Sequence, residues 1–223
     1  MGEYNAGLAT KNKIISVCKS LFYKFGINET TYTMICDEAD ITRGLLPYHF
    51  SSKDNIAFLI YDEFLNDFES WMDKIPLDNS SYACRFAVSN YVFHRFLFTN
   101  MNFMRFYWQL KSSDKLKTEN IEIQLHTINR LTEYNNTVIT KEEMNTISCM
   151  IHGAEREIFS NYYSGFIRED GEKVATKDIV FVLSMLEYDS AEIREIMDYS
   201  LIESKKYQIS MSDSFIYSFN PSV

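Results

Sequence analysis

Proline and glycine are scarce in this sequence, with three and seven residues among 223. Both interrupt helices and build the tight turns of β proteins, so their scarcity favours long helices over a turn-rich β fold. The four cysteines are scattered, with no Cys-x-x-Cys pair. This spacing argues against a zinc site or a disulfide framework and favours small core residues in a reducing compartment.

Long apolar runs and the residue pattern of a signal peptide are also missing from the sequence. A bilayer-spanning helix needs roughly 18–20 consecutive apolar residues, which no stretch approaches. The N-terminus lacks the basic and then apolar segments of a secretory signal. We therefore expect a cytoplasmic protein with no membrane partner.

The motifs of common enzyme classes are missing as well. The sequence has no Gly-rich phosphate loop, no Gly-x-Ser-x-Gly elbow and no His-Glu-x-x-His motif. A di-iron bundle needs Glu-x-x-His pairs, whereas Glu122 and His126 are four apart and His152 precedes Glu155. We interpret both as solvated pairs on helix faces. The sequence thus predicts no enzyme activity, no cofactor and no metal site.

A helix–turn–helix pattern is present over Thr30–Lys53, TTYTMICDEADITRGLLPYHFSSK. Thr31 is a favourable N-cap, and Thr42 is interpreted as the cap of a second helix from Arg43 to Phe50. Asp40 occupies the corner, where one residue must adopt the left-handed backbone that Gly, Asn and Asp tolerate best. The pattern predicts two short helices joined by a tight turn.

This pattern resembles the DNA-binding region of the TetR family of bacterial repressors. The resemblance covers residues 10 to 60 almost without a gap. The positions that carry it are Phe22, Gly26, Thr31, Ile35, Ala39, Ile41, Thr42, Gly44, His49, Phe50 and Lys53. A generic three-helix corner without a role in DNA binding is the alternative.

Two positions depart from the family pattern. Asp40 replaces the usual Gly and is expected to strain the turn by about 1 kcal/mol. Pro47 replaces an aromatic residue that touches a phosphate in the family. Because Pro47 lacks an N–H and crowds the carbonyl of Arg43, we expect a short or distorted recognition helix. Tyr48 or His49 would then take over the phosphate contact.

The resemblance implies an all-α fold with an N-terminal three-helix head, which carries the helix–turn–helix, on a larger helical body that binds a ligand and dimerises. We assign residues 1–54 to the head, 55–207 to the body and 208–223 to a tail that is expected to be poorly ordered. The implied function is a homodimeric transcription regulator that reads a palindromic operator on double-stranded DNA, most simply a repressor released by a small-molecule effector.

The expected DNA contacts lie in and around the second helix of the motif. Thr42 and Arg43 would meet base edges or phosphates, and Leu45 a thymine methyl. Thr33 and Lys53 would hold the phosphate backbone. The candidate DNA-binding residues are therefore Thr33, Thr42, Arg43, Leu45, Tyr48, His49 and Lys53.

The net charge of −9 does not exclude DNA, because residues 1–54 contain six basic and six acidic groups and the whole excess lies in the rest of the chain. Phosphate binding needs only a local basic edge, which Lys11, Lys13, Arg43 and Lys53 can supply. A neutral head predicts modest and salt-dependent affinity. A helical ligand-binding or protein-interaction module that has lost DNA binding therefore stays open as the second reading.

Helical spacing organises the rest of the chain. Residues 1–9 are expected to be irregular, Thr10 to cap a first helix, and a long helix to run from Asn55 to about Ile75, with Ser51 and Asp54 as its start signal. Further helices are predicted at roughly 80–98, 101–111, 115–134, 141–168, 176–186 and 190–207. The apolar stripes of residues 141–168 and 176–207 form either a dimer seam or only the core of one protomer.

Aromatic side chains are concentrated in residues 55–110, which hold fifteen of the 34 in the chain. They indicate either a cavity for a small, largely apolar or aromatic effector or an ordinary helix–helix core. Arg105 would favour an anionic ligand if it points inward, and is otherwise a surface arginine. The candidate ligand-binding residues are Trp71, Phe93, Phe96, Phe103, Arg105, Tyr107 and Trp108.

Overall fold

The computed structural model describes residues 2–78, 81–135 and 138–221. The helices are α1 (Gly2–Phe25), α2 (Tyr32–Glu38), α3 (Leu45–His49), α4 (Lys53–Lys74), α5 (Tyr82–Thr99), α6 (Met101–Lys111), α7 (Lys117–Asn135), α8 (Lys141–Tyr163), α9 (Gly171–Met185) and α10 (Ser190–Ser204), and the strands are β1 (Tyr207–Met211) and β2 (Tyr217–Pro221). A 3-10 turn over Asp114–Leu116 precedes α7. Within these ranges no helix is long and apolar enough to cross a membrane.

The first three helices form the expected head around a small apolar core. The buried side chains of α1 recur every four residues, which places them on one face of the helix. The head core consists of Ile14, Cys18, Phe22, Ile27, Ile35, Cys36, Leu46 and Phe50. It is continuous with the first part of α4, so the head is joined to the body through a shared core.

Two helix starts in this region differ from the sequence prediction. The first helix begins at Gly2. The expectation of an irregular segment over residues 1–9 is therefore wrong for residues 2–9, which are helical. The cap of α4 is Ser52, whose hydroxyl accepts a hydrogen bond from the Asn55 backbone N–H at 3.1 Å. Ser51 is therefore not the cap, and α4 begins at Lys53, two residues before the predicted start at Asn55.

The body is built around α5, which packs against α9, α10, α6 and α7. Its buried side chains surround most of the helix instead of forming a single stripe, because neighbours cover it on several sides. The stripes that could have formed a dimer seam, including Ile147, Ile151, Ile179 and Ile196, lie in the core of this protomer. The structure therefore supports the alternative in which these side chains form the core of one protomer.

Capping residues set the starts of the later helices α8 and α9. Thr140 and Glu143 form the predicted capping box of α8. This helix ends at Tyr163, where Gly165 adopts a φ of +79°, and not at residue 168. The next helix begins after Asp170 and not at Thr176, because the Asp170 carboxylate accepts from the Lys173 backbone N–H at 2.9 Å.

A β-hairpin replaces the disordered tail that the sequence predicted, as far as residue 221. The two strands are antiparallel, with Tyr207 opposite Pro221 and Ile209 opposite Phe219. The Ser212 backbone N–H donates to the Ile216 carbonyl at 2.8 Å and closes the connecting loop. The expectation of a poorly ordered tail is therefore wrong for this segment.

The hairpin is anchored by aromatic side chains on two sides. Phe219 stacks on Trp71 of α4 with ring centroids 5.2 Å apart. Phe215 is only 2% exposed and lies against Tyr23 of α1 and Phe106 of α6, at centroid distances of 5.6 and 4.6 Å. The hairpin therefore touches the first helix of the head as well as the body.

Candidate functional site

The turn of the helix–turn–helix depends on the left-handed backbone of Asp40, whose φ is +48°. The Ile41 N–H donates to the Cys36 carbonyl at 3.0 Å, and the Asp40 N–H donates to the Asp37 carbonyl at 3.2 Å. This pair of bonds is the Schellman arrangement that ends a helix. The sequence prediction that Asp40 adopts the left-handed corner position is confirmed.

The second helix of the motif is short, as expected from the presence of Pro47. It covers five residues, begins after Gly44 and has no side-chain cap, so neither the predicted start at Arg43 nor the Thr42 cap is found. Pro47 is the third residue of α3, in the first turn, where a backbone N–H has no partner within the helix. A helix that started at Arg43 would lose the bond from residue 47 to the Arg43 carbonyl, because Pro47 has no N–H. Since α3 starts at Leu45, no intrahelical bond is lost.

The outer surface of this motif brings together most of the candidate DNA-binding residues. Thr33, Thr42, Arg43, Leu45 and Tyr48 are exposed, and His49 is half-buried. The Arg43 Nη2 donates to the Thr33 Oγ1 at 2.8 Å, which joins the start of α2 to the turn before α3. Tyr48 is 80% exposed, and its ring lies edge-on to His49 at 5.0 Å.

Lys53 does not share this surface role. Its Nζ donates to the backbone carbonyls of Ile27, at 2.9 Å, and Thr30. Burial lowers the pKa of Lys53. Its ammonium group fastens the loop between α1 and α2 to the start of α4, so we remove Lys53 from the candidate phosphate contacts.

The same loop is fastened from the body by α6. The Gln109 Oε1 accepts from the Ile27 N–H at 2.6 Å and from the Asn28 N–H at 3.3 Å. The Arg105 Nη2 donates to the carbonyls of Tyr23 and Lys24 at 2.9 and 2.8 Å. The φ of +84° at Gly26 favours glycine, and a Cβ there would lie 2.7 Å from the Gln109 Oε1, so this side chain would have to move.

Arg105 is therefore not in a ligand site, because its guanidinium group binds the carbonyls at the C-terminal end of α1. This position is favourable for a cation, since the helix dipole places partial negative charge there. The sequence could not reveal this role, because Arg105 and Lys24 are brought together only by the packing of α6 on α1.

The body contains a cavity of about 140 Å³ between α4, α5, α6, α7, α8 and α9. Of the predicted wall residues, Phe93 and Tyr107 line it, and Trp71, Phe96, Phe103, Arg105 and Trp108 do not. Its aromatic wall consists of Tyr61, Phe68, Tyr82, Phe86, Phe93 and Tyr107. The expected aromatic pocket is present, with a largely different set of residues.

The other predicted wall residues have packing roles. Phe96 and Phe103 surround Phe64 in the core, with centroids 6.2 and 5.1 Å from it. The hairpin covers Trp71, and Trp108 stacks on Tyr163 at 5.1 Å. These four side chains pack against other aromatic residues and do not line the cavity.

A buried polar cluster, absent from the sequence prediction, forms part of the cavity lining. The Lys111 Nζ is 3.2 Å from the Glu155 Oε2, which also accepts from the Gln124 amide at 2.9 Å. Asp178 lines the same region and is 6% exposed. Burial, together with the negative charge of Glu155, raises the pKa of Asp178 to about 8.

Asp178 carried a recognisable sequence signal. It lies three or four residues from Val174, Ala175 and Val182, which all belong to the apolar stripe of α9. A carboxylate on such a stripe must be buried when the helix packs, and it then needs a partner or loses its charge. Lys111 ends α6 in a similar way, with its side chain only 1% exposed.

Comparison with known proteins relates the head to a regulator family. Residues 14–60 match the family described as bacterial regulatory proteins, tetR family. A stretch of 65 residues is 43% identical to the HTH-type transcriptional regulator QacR of Staphylococcus aureus (strain Mu50 / ATCC 700699). That match covers 29% of this chain and 32% of QacR, so the chain spans about a third of the length of the curated relative it matches.

The whole fold has counterparts among solved structures. The structure of RolR in complex with resorcinol aligns with a TM-score of 0.60 over 86% of this chain and 95% of RolR, at 15% identity. SmeT, the repressor of the Stenotrophomonas maltophilia multidrug efflux pump SmeDEF, aligns with 0.56 over 78% and 88%, at 14% identity. The TetR regulator TylP from Streptomyces fradiae aligns with 0.53 over 90% and 93%, at 15% identity. The likeness extends the shared architecture from the head to the body.

Proposed function

We propose that this chain is a sequence-specific DNA-binding transcription regulator of the TetR family, because its head matches the family described as bacterial regulatory proteins, tetR family. We further propose that it acts as a repressor released by a small molecule, that it has no catalytic activity, and that it works in the cytoplasm, where operator DNA is found. The observation that carries the proposal is the family match over residues 14–60, which contain the helix–turn–helix with its Asp40 corner.

The proposed DNA contacts come from the exposed surface around α3. Tyr48 and His49 are in position to take over the phosphate contact, since Pro47 offers neither a ring nor an N–H. Arg43 reaches bases or phosphates from the turn, where its bond to Thr33 holds the guanidinium group in place. Thr42 and Leu45 complete this surface.

One basic side chain from α1 supports the same face. The Lys11 Nζ lies 5.8 Å from the centroid of the Phe50 ring, which places an exposed cation beside the end of the recognition helix. Because the head has no net positive charge, we expect affinity to depend on these few groups and to fall steeply with salt.

A homodimer is proposed as the active form. Exposed apolar side chains remain on the last two helices of the body, with Val180 on α9 and Ile202 on α10 being 36% and 69% exposed. Two helices from each protomer would then meet in a four-helix bundle. A two-fold dimer places its recognition helices roughly 34 Å apart and so reads a palindrome.

The effector is proposed to occupy the body cavity, and two helices link that cavity to the head. Tyr107 and Lys111 of α6 line it, and Gln109 of the same helix binds the loop after α1. The first turn of α4 supplies Lys53 to that loop, and its later turns supply Tyr61 to the cavity. A ligand that shifts either helix would change the position of the head.

A gel shift of the full-length protein on its own upstream DNA, across a series of salt concentrations, tests the proposal. We expect a sharp complex at low salt that is lost as salt rises. The double variant Tyr48→Ala with His49→Ala should bind at least about tenfold more weakly, as expected for the loss of one or two phosphate contacts. A control is Phe166→Ala, which removes an 82% exposed aromatic ring from the segment after α8 and should leave DNA binding as in the native protein.

Absence of any complex at low salt would overturn the regulator and favour the second reading, a ligand-binding or interaction module without DNA binding. Unchanged affinity of the double variant would leave DNA binding intact and remove Tyr48 and His49 from the interface.

A further inference from the structure

The two faces of the C-terminal hairpin differ in polarity. Gln208, Ser210 and Ser218 are exposed on the outer face. Ile209 and Phe219, on the inner face, pack against the core of the protein. A hairpin of two strands is at best marginally stable by itself in water. The order of this segment therefore depends on what its inner face contacts.

The inner face of β2 runs along α4, the helix whose first part shares the core of the head. Tyr217 lies edge-on to Phe64, with ring centroids 5.1 Å apart. Phe219 contacts the ring of Phe68 at 5.7 Å and stacks on Trp71 at 5.2 Å. Alternate residues of the strand thus meet α4 residues that are three or four positions apart, since each set lies on one face of its element. The hairpin packs along the helix that joins head and body.

The end of the hairpin that follows α10 is attached to the body. Arg95 of α5 donates from Nη1 to the Ser204 carbonyl and from Nη2 to the Ser204 Oγ, both at 3.1 Å. Tyr207, the first residue of β1, lies edge-on to Trp71 at 5.7 Å. These contacts fix the base of the hairpin on α4 and α5.

The loop of the hairpin reaches the head. Phe215 lies between Tyr23 of α1 and Phe106 of α6, at centroid distances of 5.6 and 4.6 Å. Its φ is +54°, a left-handed backbone that is unfavourable for a residue with a large side chain. Such a conformation persists only where the surrounding packing enforces it. The burial of the Phe215 ring between head and body therefore offsets the strain of its backbone.

We propose that the hairpin acts as a strap that holds the head in one position on the body, with Phe215 as the positioning residue. The inference rests on the proposed function, because the head carries the proposed DNA-binding surface. With the hairpin in place, α1 stays against α6, and the bonds from Gln109 and Arg105 to the end of α1 and its loop stay formed. Without it, α1 and α6 separate more often, and the head samples several positions.

Two backbone amides of the head report its position on the body. The amides of Ile27 and Asn28 donate to the Gln109 Oε1 of α6, at 2.6 and 3.3 Å. Because these bonds cross from the head to the body, hydrogen exchange at the two amides requires that this contact opens locally. Their exchange rates therefore measure how often the head parts from α6.

Hydrogen exchange of the full-length protein with Phe215→Ala tests the proposal. We expect exchange at the Ile27 and Asn28 amides to become at least about tenfold faster, since a buried ring between α1 and α6 is lost. Ile216→Ala removes an exposed side chain from the same loop. It should leave both rates within about threefold of those of the native protein.

A second control separates the strap from a general loss of stability. Leu183 is fully buried in α9, in a core cluster that contains none of the described hairpin residues. Leu183→Ala leaves a cavity and lowers the stability of the whole protein, as Phe215→Ala does. The contacts of the hairpin remain, so exchange at Ile27 and Asn28 should stay within about threefold of the native rates.

DNA binding gives the functional readout. A head that spends only part of its time in the competent position binds with an affinity reduced by that fraction. Phe215→Ala should therefore weaken the complex in the gel shift at least about threefold, and Leu183→Ala should leave it within about twofold.

Unchanged exchange in Phe215→Ala, or equal acceleration by Leu183→Ala, would overturn the proposal. Faster exchange with unchanged DNA affinity would overturn it as well, because the position of the head would then not govern binding. If Phe215→Ala does not fold, Phe219→Ala takes its place under the same criteria, since it removes a half-buried ring of the hairpin from α4. A native protein that gives no gel shift contradicts the proposed regulator function alone, and the exchange rates then decide on the strap.

Discussion

The side-chain oxygen of Gln109 lies 2.6 Å from the backbone nitrogen of Ile27, and this contact joins the body to the head. Gln109→Ala leaves two backbone N–H groups without their acceptor, so we expect the free energy of unfolding to fall by about 1–3 kcal/mol. Urea unfolding measures the change. Gln208→Ala, at an exposed position of β1, is the control and should stay within about 0.5 kcal/mol of the native protein. Equal effects of the two changes would contradict the role of Gln109.

Glycine in place of Asp40 at the corner of the helix–turn–helix should stabilise the folded protein. Asp40→Gly removes the strain of a Cβ at a φ of +48° and should raise the free energy of unfolding by about 1 kcal/mol. Asp37→Gly, three residues earlier in the last turn of α2, should lower it by about 0.3 kcal/mol, because glycine has a slightly lower helix propensity than aspartate. Thermal unfolding of both variants checks the opposite signs, and a loss of stability in Asp40→Gly would contradict the account of the turn.

Alanine substitutions at the buried Phe215 and the exposed Ile216 test whether the hairpin is anchored by its buried aromatic side chain. Phe215→Ala empties a site between α1 and α6, so we expect a loss of about 3–5 kcal/mol. Ile216 is 70% exposed, and Ile216→Ala should change stability by less than about 0.5 kcal/mol. Similar stability of the two variants in urea would show that the hairpin does not hold its place on the body.

Asp178 should make stability depend on pH in a defined direction. Its folded-state pKa of about 8 lies above the ordinary value of 3.8, so the folded protein holds a proton that the unfolded chain releases between these values. This group therefore lowers stability progressively as pH rises from about 4 to about 8. Asp178→Asn removes the effect, and its advantage over the native protein in urea unfolding should be larger at about pH 8 than at about pH 5. An advantage that is constant with pH would contradict the raised pKa.

The head could be predicted from the sequence because its signals are local. The Thr31 cap, the left-handed Asp40 and the shortening by Pro47 each depend on residues within about four positions, where backbone geometry decides the outcome. Lys53 was misassigned because its hydrogen-bond partners in the α1–α2 loop are more than twenty residues away. A lysine beside a DNA-binding motif has the same appearance in sequence whether it binds phosphates or carbonyls.

The body was predictable in class but not in detail. Helical periodicity predicts that α4, α5 and α6 carry aromatic faces, yet it cannot say which faces meet each other and which border a cavity. Trp71 is covered by Phe219 from the hairpin, a pairing across nearly 150 positions. The Lys111–Glu155 pair likewise required the packing of α6 against α8.

The contact of Tyr23 with Phe215 also bears on the order in which the protein matures. Chains are synthesised from the N-terminus, and domains begin to fold as they emerge. The head can assemble its own core once α3 has formed, but Phe215, whose ring packs between α1 and α6, is synthesised 166 residues after the end of α3. During that interval the head is complete in sequence and lacks one of its attachments to the body. The nascent chain thus passes through a stage in which the proposed DNA-binding surface exists before this contact with the body has formed.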